Sequence, residues 1–307
     1  MYETGTGSPN TSGTVITAAS GFSGAMIQMG SSATGICGAS AKVCNGVAVE
    51  NLMLNGANQA VTGILNENSE ELSYVNHVNL YQIIGTGLDI ETSVGSYSAG
   101  NSGPYSNISF SPGSSAATTT VCAKILGART RGIHGLTCVA DGTPTAAILL
   151  DADNNSIEDV HMEGFVNGIF VGDNAPAASN ILFNITGSIG GGAMTNVIHI
   201  SNANTVADLS ILDVESENIA GKGSPTNSIK DDVTGTTLTD TTVGMYALGE
   251  TVGTSGVSRF TTSPNAVTWG VGSSAPTGTC MNGSIFSDTG GTTHTFYVCQ
   301  SSGWVGK

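Results

Sequence analysis

Charge is what this sequence has least of. Lys, Arg, Asp and Glu make up 10% of 307 residues, against roughly 25% in ordinary globular domains. Basic residues are scarcer still: eight Lys plus Arg against 23 Asp plus Glu give a net charge of −15 and a pI near 4.4. Nucleic acids and anionic lipid surfaces are held chiefly through Lys and Arg, so both are set aside as partners. Polyanionic sugars match no better, which leaves neutral glycans, divalent cations and other copies of the chain. No run of 18 apolar residues occurs, so no membrane-spanning helix is expected. Met1-Tyr2-Glu3-Thr4-Gly5 has neither the basic start nor the apolar core of a secretory signal. The C-x-x-C, G-x-S-x-G, P-loop, H-E-x-x-H and dinucleotide fingerprints are also missing.

In place of charge the chain carries 43 Gly together with many Ser, Thr and Asn. That suits turn-rich β structure, because Gly and Asn accept positive φ. Branched apolar residues are too many for a disordered chain. The six cysteines fall into local pairs, each flanking one loop. Six cysteines allow fifteen connectivities; neighbour pairing is expected, Cys37 with Cys44, Cys122 with Cys138, and Cys280 with Cys299. With no histidine beside them, zinc is the lesser alternative. Disulfides imply an oxidising compartment, hence a secreted, extracellular or cell-surface location.

A cassette recurs: an Asn or Asp, then apolar residues at alternate positions, then a second alternating pair led by Gly about ten residues on. It occurs at Asn51-Leu52-Met53-Leu54, His77-Val78-Asn79-Leu80, Asn107-Ile108-Ser109-Phe110, Asp159-Val160-His161-Met162, Asn180-Ile181-Leu182-Phe183 and Asp208-Leu209-Ser210-Ile211. The first inward residues, Leu52, Val78, Ile108, Val160, Ile181 and Leu209, are 26, 30, 52, 21 and 28 residues apart, the 52 reading as two steps. A second strand class follows at Thr62-Gly63-Ile64-Leu65, Thr86-Gly87-Leu88-Asp89, Arg131-Gly132-Ile133-His134, Asn167-Gly168-Ile169-Phe170 and Asn196-Val197-Ile198-His199. Two short strands per coil at a fixed offset describe stacked β-coils. The expected fold is all-β, a right-handed parallel β-helix.

Four segments follow from this pattern. Residues 1–48 are expected to form an N-terminal cap and first irregular coil, and 49–220 the β-helix. Residues 221–264 lose the register and read as irregular β or linker. Residues 265–307 read as a small β-hairpin module stapled by Cys280 and Cys299, with Trp269 and Trp304 available as its core.

Stacking the coils lines outward residues into rows. One row reads Met53, Asn79, Ser109, His161, Leu182, Ser210; the next reads Asn55, Tyr81, Ser111, Glu163, Asn184, Leu212. A polysaccharide-cleaving groove needs clustered carboxylates or a strong base, and these rows are mostly neutral. The exception is Asp159, His161 and Glu163, placed on one face by a period of two. A His between two carboxylates suits an acid or a cation site; the competing reading is a solvated polar strip. Asp151-Ala152-Asp153-Asn154-Asn155 resembles the start of a calcium loop without its Gly and distal Glu. Asp151 and Asp153 are therefore the candidate calcium ligands, and no other cofactor is expected. Arg129, Arg131 and His134 form the one basic cluster and read as a loop anchor. His134 and His199 are expected to share an outward row with Asp89.

Residues 49–220 resemble the pectate-lyase-like superfamily of right-handed parallel β-helix proteins, through Asn51-Leu52-Met53-Leu54-Asn55-Gly56 and Asn155-Ser156-Ile157-Glu158-Asp159-Val160 with Asn167-Gly168-Ile169. The segment from Ala275-Pro276-Thr277-Gly278-Thr279-Cys280 through Tyr297-Val298-Cys299 to Trp304 is similar to a tail module of secreted bacterial β-helix proteins. The resemblance implies polysaccharide lysis, hydrolysis or attachment. Polygalacturonase-like members would show spaced aspartates, a Gly-His-Gly and an Arg-x-Lys; here Ile133-His134-Gly135, Asp231-Asp232 and Ser228-Ile229-Lys230 are out of order and incomplete. Pectate-lyase-like members would show an arginine base beside calcium carboxylates, and the rows hold no arginine. No catalytic residue carries over. The expected function is a secreted, non-catalytic structural or adhesive subunit binding other copies of itself, end to end in filaments. The alternative is an enzyme or binding module for a neutral or weakly acidic polysaccharide, with Asp159, His161 and Glu163 as its site.

Overall fold

The computed structural model describes residues 13–30, 44–91, 101–113, 116–190, 192–207, 209–219, 221–232, 257–258, 269–272, 274–278, 280, 282–290 and 296–307. Among them the chain is all-β and winds as a parallel β-solenoid. The coils begin with β1 (Thr14–Thr17) and β2 (Gly24–Met29), then β3 (Ala48–Gln59) and β4 (Val61–Asn66), then β5 (Tyr74–Ile83) and β6 (Thr86–Glu91). They continue with β7 (Tyr105–Ser111) and β8 (Val121–Leu126), β9 (Ile133–Val139) and β10 (Ala146–Asp151), and β11 (Ser156–Glu163) and β12 (Asn167–Val171). After the short β13 (Ala177–Ala178) come β14 (Ile181–Ser188) and β15 (Asn196–Ile200), the short β16 (Val206–Ala207), then β17 (Ser210–Glu217) and β18 (Asn227–Asp231). One strand of each coil joins a first sheet, ordered β1-β3-β5-β7-β9-β11-β14-β17. The other joins a second sheet, ordered β2-β4-β6-β8-β10-β12-β15-β18, and β13 pairs with β16. Strands therefore lie on both sides of the 49–220 stretch, from Thr14 to Asp231.

The cassette's leading residue has a conformational origin. Asn51, His77, Asn107, Gly135, Asp159, Asn184 and Asp213 all have φ between 52° and 65°. They occupy the same place in seven successive first-sheet strands, each immediately ahead of an inward residue. Left-handed backbone costs most L-residues about 1–2 kcal/mol, whereas Asn, Asp and Gly adopt it readily. At each such residue the strand bends and the alternation restarts: in β11, Ile157 is buried, Glu158 and Asp159 both face outward, and Val160 is buried again.

This restart corrects two slots of the sequence reading. Ile181 is 46% exposed; the residue aligned with Val160 is Ile185, and Val214 follows it. Both Asn180-Ile181 and Asn184-Ile185 fit the cassette, but Asn180 is buried in the turn ahead of the strand. Leu209 is likewise buried ahead of β17 rather than in the Leu52 row. The inward row Leu52, Val78, Ile108, Leu136, Val160, Ile185, Val214 steps by 26, 30, 28, 24, 25 and 29 residues. The 52-residue gap is thus two coils, the second entering at Leu136. A third correction concerns Ile133-His134, which belongs to β9 of the first sheet. The second-sheet strands there are β8 and β10, apolar runs that lack the Thr-Gly or Asn-Gly lead.

Two internal ladders tie coils together. Asn227 donates to the Asn196 carboxamide and Asn196 to that of Asn167, each at 2.7 Å. In the turns ahead of β9, β11 and β14, the Asn155 side-chain oxygen accepts from the Thr130 N–H at 2.8 Å, and the Asn180 oxygen accepts from the Asn155 N–H at 2.9 Å. These bonds satisfy buried polar groups that would otherwise be costly. The Cys122–Cys138 disulfide crosses the core between β8 and β9, and both residues are fully buried.

The C-terminal sheet contains β19 (Val257–Ser258), β20 (Trp269–Gly272), β21 (Ile285–Asp288), β22 (Phe296–Gln300) and β23 (Gly303–Gly306). β21, β22 and β23 pair antiparallel. The Cys280–Cys299 disulfide forms as expected, and Phe286 meets Trp304 edge-on at 5.9 Å. Cys44 is disulfide-bonded; Cys37 lies outside the described residues, as does the side chain of Trp269.

Candidate functional site

On the first sheet the true outward row reads Met53, Asn79, Ser109, Thr137, His161, Thr186, Glu215. Leu182 and Ser210 leave it, and Asn184 and Leu212 leave the next row, where Glu163 aligns with Ser188 and Glu217. Asp159, His161 and Glu163 all face outward, but the bend at Asp159 separates it from the other two. The Asp159 carboxylate accepts from Asn184 Nδ2 at 2.6 Å, on the neighbouring coil. His161 Nε2 lies 2.8 Å from Glu163 Oε1. The turn after β14 packs against Glu163: a side chain at Gly190 would run into the Glu163 carboxylate, and Lys222 donates to the Gly190 carbonyl. His134 stands on the first sheet, not in the second-sheet row that Asp89 and His199 do share, and lies 3.4 Å from Glu158. Arg129 and Arg131 are exposed in the turn between β8 and β9, where the Arg131 N–H bonds the Ser102 carbonyl at 2.7 Å.

The two aspartates of the calcium-loop pattern have internal partners. Asp151 is buried and accepts from the Asn174 N–H at 3.1 Å and from Asn174 Nδ2 at 2.9 Å. Asp153 accepts from the Ala178 N–H at 2.7 Å. Among the described residues, no group of three or more His, Cys, Asp or Glu is arranged to hold a metal ion.

The strongest electrostatics lie on the second sheet, where sequence reasoning found no site. Its outer row reads Gln28, Leu65, Asp89, Lys124, Leu149, Phe170, His199, Lys230. Lys124 pairs closely with Glu91 and lies 3.6 Å from Asp89 Oδ1. Burial first, then Glu91, pushes the Asp89 carboxyl up to about 6 against the pull of Lys124. A carboxyl that gives up its proton near neutrality beside a second carboxylate is suited to acid–base work. Burial opposes charge on Lys124, but Glu91 and Asp89 outweigh it and raise its pKa.

A second cluster sits three coils further along. His199 stacks on Phe170 with ring centroids 4.4 Å apart and contacts Asp232 Oδ2 through Nε2 at 2.7 Å. Lys230 donates to the same oxygen at 2.9 Å. Burial raises the Asp232 carboxyl, but the bonds from His199 and Lys230 outweigh it and hold the group below its usual range. The fragments Lys230 and Asp232, out of order in the sequence, thus meet one histidine, and it is His199 rather than His134.

None of the protein-family models, curated proteins or solved structures compared with the chain matches it. Among the described residues, no helix is long and apolar enough to cross a membrane.

Proposed function

We propose that this chain is an extracellular β-helix of the pectate-lyase-like kind, serving as a non-catalytic structural or adhesive subunit that associates with other copies of itself. One observation carries the reading: charged side chains on the outer faces are bonded to other side chains of the solenoid, most of them on a neighbouring coil. Asp159 is bonded by Asn184, His134 faces Glu158, His199 and Lys230 share Asp232, and Lys124 joins Asp89 to Glu91. Such pairs stitch rungs together. The disulfides support an oxidising, extracellular setting, and the low charge leaves the neutral rows free for contacts with neutral surfaces.

The second reading, a polysaccharide-binding or polysaccharide-cleaving enzyme, is favoured by Asp89. Its proton-holding carboxyl beside Glu91 and Lys124 has the chemistry of an acid–base pair. A screen for reducing ends and unsaturated products across neutral and acidic polysaccharides separates the two. The first reading expects no product from the parent chain. Product formation abolished by Asp89→Asn establishes the second reading at the second sheet, and abolition by Glu163→Gln places it at the first.

A further inference from the structure

The two ends of the solenoid differ. In the last coil the inward side chains are covered: Ile211, Val214 and Ile229 are 0, 5 and 2% exposed. In the first coil Met29 of β2 is buried as well, but the side chains of β1 are exposed. Ile16 aligns with Leu54, and so continues the core row of Leu54, Leu80 and Phe110, all at most 2% exposed, yet Ile16 is 39% exposed. Val15 beside it is 38% exposed and Phe22 40%. β1 and β2 stand at the ends of their sheets, hydrogen-bonded among the described residues on one side each, to β3 and β4.

Natural edge strands are guarded by charges, prolines or bulges. Among the described residues, β1 and β2 carry no charge, no proline and no bulge. Between Glu3 and Glu50 the only charged residue is Lys42, in a chain whose net charge is −15. The last coil carries Asp213, Glu215, Glu217, Asp231 and Asp232. Two copies meeting through the C-terminal coil would bring like charges together; meeting through the first coil brings two neutral apolar surfaces together.

We infer that the chain forms a closed two-fold dimer through its N-terminal coil, β1 lying antiparallel to β1 of the second copy and Ile16 buried between them. An isologous contact uses one patch twice and closes at two. Such a contact occupies the free edge of β1 in both copies, so growth through it stops at the pair. The inference rests on the self-association in the proposed function and replaces filaments by a dimer; the polysaccharide screen does not depend on it, so either can fail alone.

The test is light scattering on the full-length chain from low to high micromolar concentration, with circular dichroism to verify folding. Twice the chain mass is expected for the parent and for Leu212→Lys, at the opposite end. A single chain mass is expected for Ile16→Lys and for Val15→Lys, the latter on the outer face where the core does not need it. A parent of single mass at every concentration overturns the inference, as does a doubled mass that survives both β1 substitutions. A mass growing beyond two copies overturns it in favour of open stacking. Association that begins only when residues 1–12 are deleted overturns it in favour of the chain covering its own edge.

Discussion

The two long sheets share one core and one coil repeat, yet their outer faces are built differently. First-sheet strands bend at a left-handed residue and present mostly neutral rows, ending in the exposed apolar side chains Ile181, Phe183 and Leu212. Second-sheet strands are five or six residues long and carry Asp89, Lys124, His199 and Lys230 in a single row. The difference shows where backbone geometry and where charge decides the residue type. On the first sheet Asn and Asp recur at the bend because of φ, so an Asp at that position is no sign of chemistry. On the second sheet no such demand exists, and a buried carboxylate asks for another explanation.

The bond joining the sheets is the most severe way to break the comparison. Replacing Cys122 and Cys138 together with Ala should cost about 3 kcal/mol, the loop-closure scale for a separation of 16 residues, read as a lower midpoint in urea unfolding. Both faces should loosen together in hydrogen exchange, since the clip crosses between them.

Asp89 sharpens the contrast through pH. Its folded pKa of about 6 lies above the usual 3.8, so the folded state favours the protonated form. The stabilisation is full below pH 4 and lost as pH rises through 6. A shift of about two units corresponds to about 3 kcal/mol. Asp89→Asn should therefore flatten the fall in thermal stability between pH 4 and 7 and leave the protein more stable than the parent at pH 7. A parallel pH profile in the two proteins would contradict the burial argument. The smallest effect is expected on the first sheet: Asp159→Val should cost about 1–2 kcal/mol through its φ, while Asp159→Gly, which loses only the Asn184 bond, costs less. Equal losses in the two variants would mean that the side chain, not the backbone, sets that position.

The coil repeat was legible because apolar alternation survives at a near-constant spacing, and the pairs Cys122–Cys138 and Cys280–Cys299 because each flanks one loop. The register near Ile181 was not legible, since two Asn-Ile steps four residues apart satisfy the same pattern and only burial distinguishes them. β8 and β10 escaped because Val121-Cys122-Ala123 and Ala146-Ala147-Ile148 lack a turn residue to announce them. Missing β8 also hid the charged cluster: Asp89 and Lys124 are 35 residues apart, and only adjacent strands make them neighbours. His161 and Glu163 were found as a pair because their contact is local.

The bend residues have one more consequence. Each sets the corner of its own rung through its own backbone, while the rungs range in length from 24 to 30 residues. The surplus is taken up elsewhere in the loop of chain, so an insertion in a turn need not disturb the alignment above or below it. New surface features can accordingly be grafted onto any rung, which makes this architecture permissive to diversification on its flanks while the stack beneath stays unchanged.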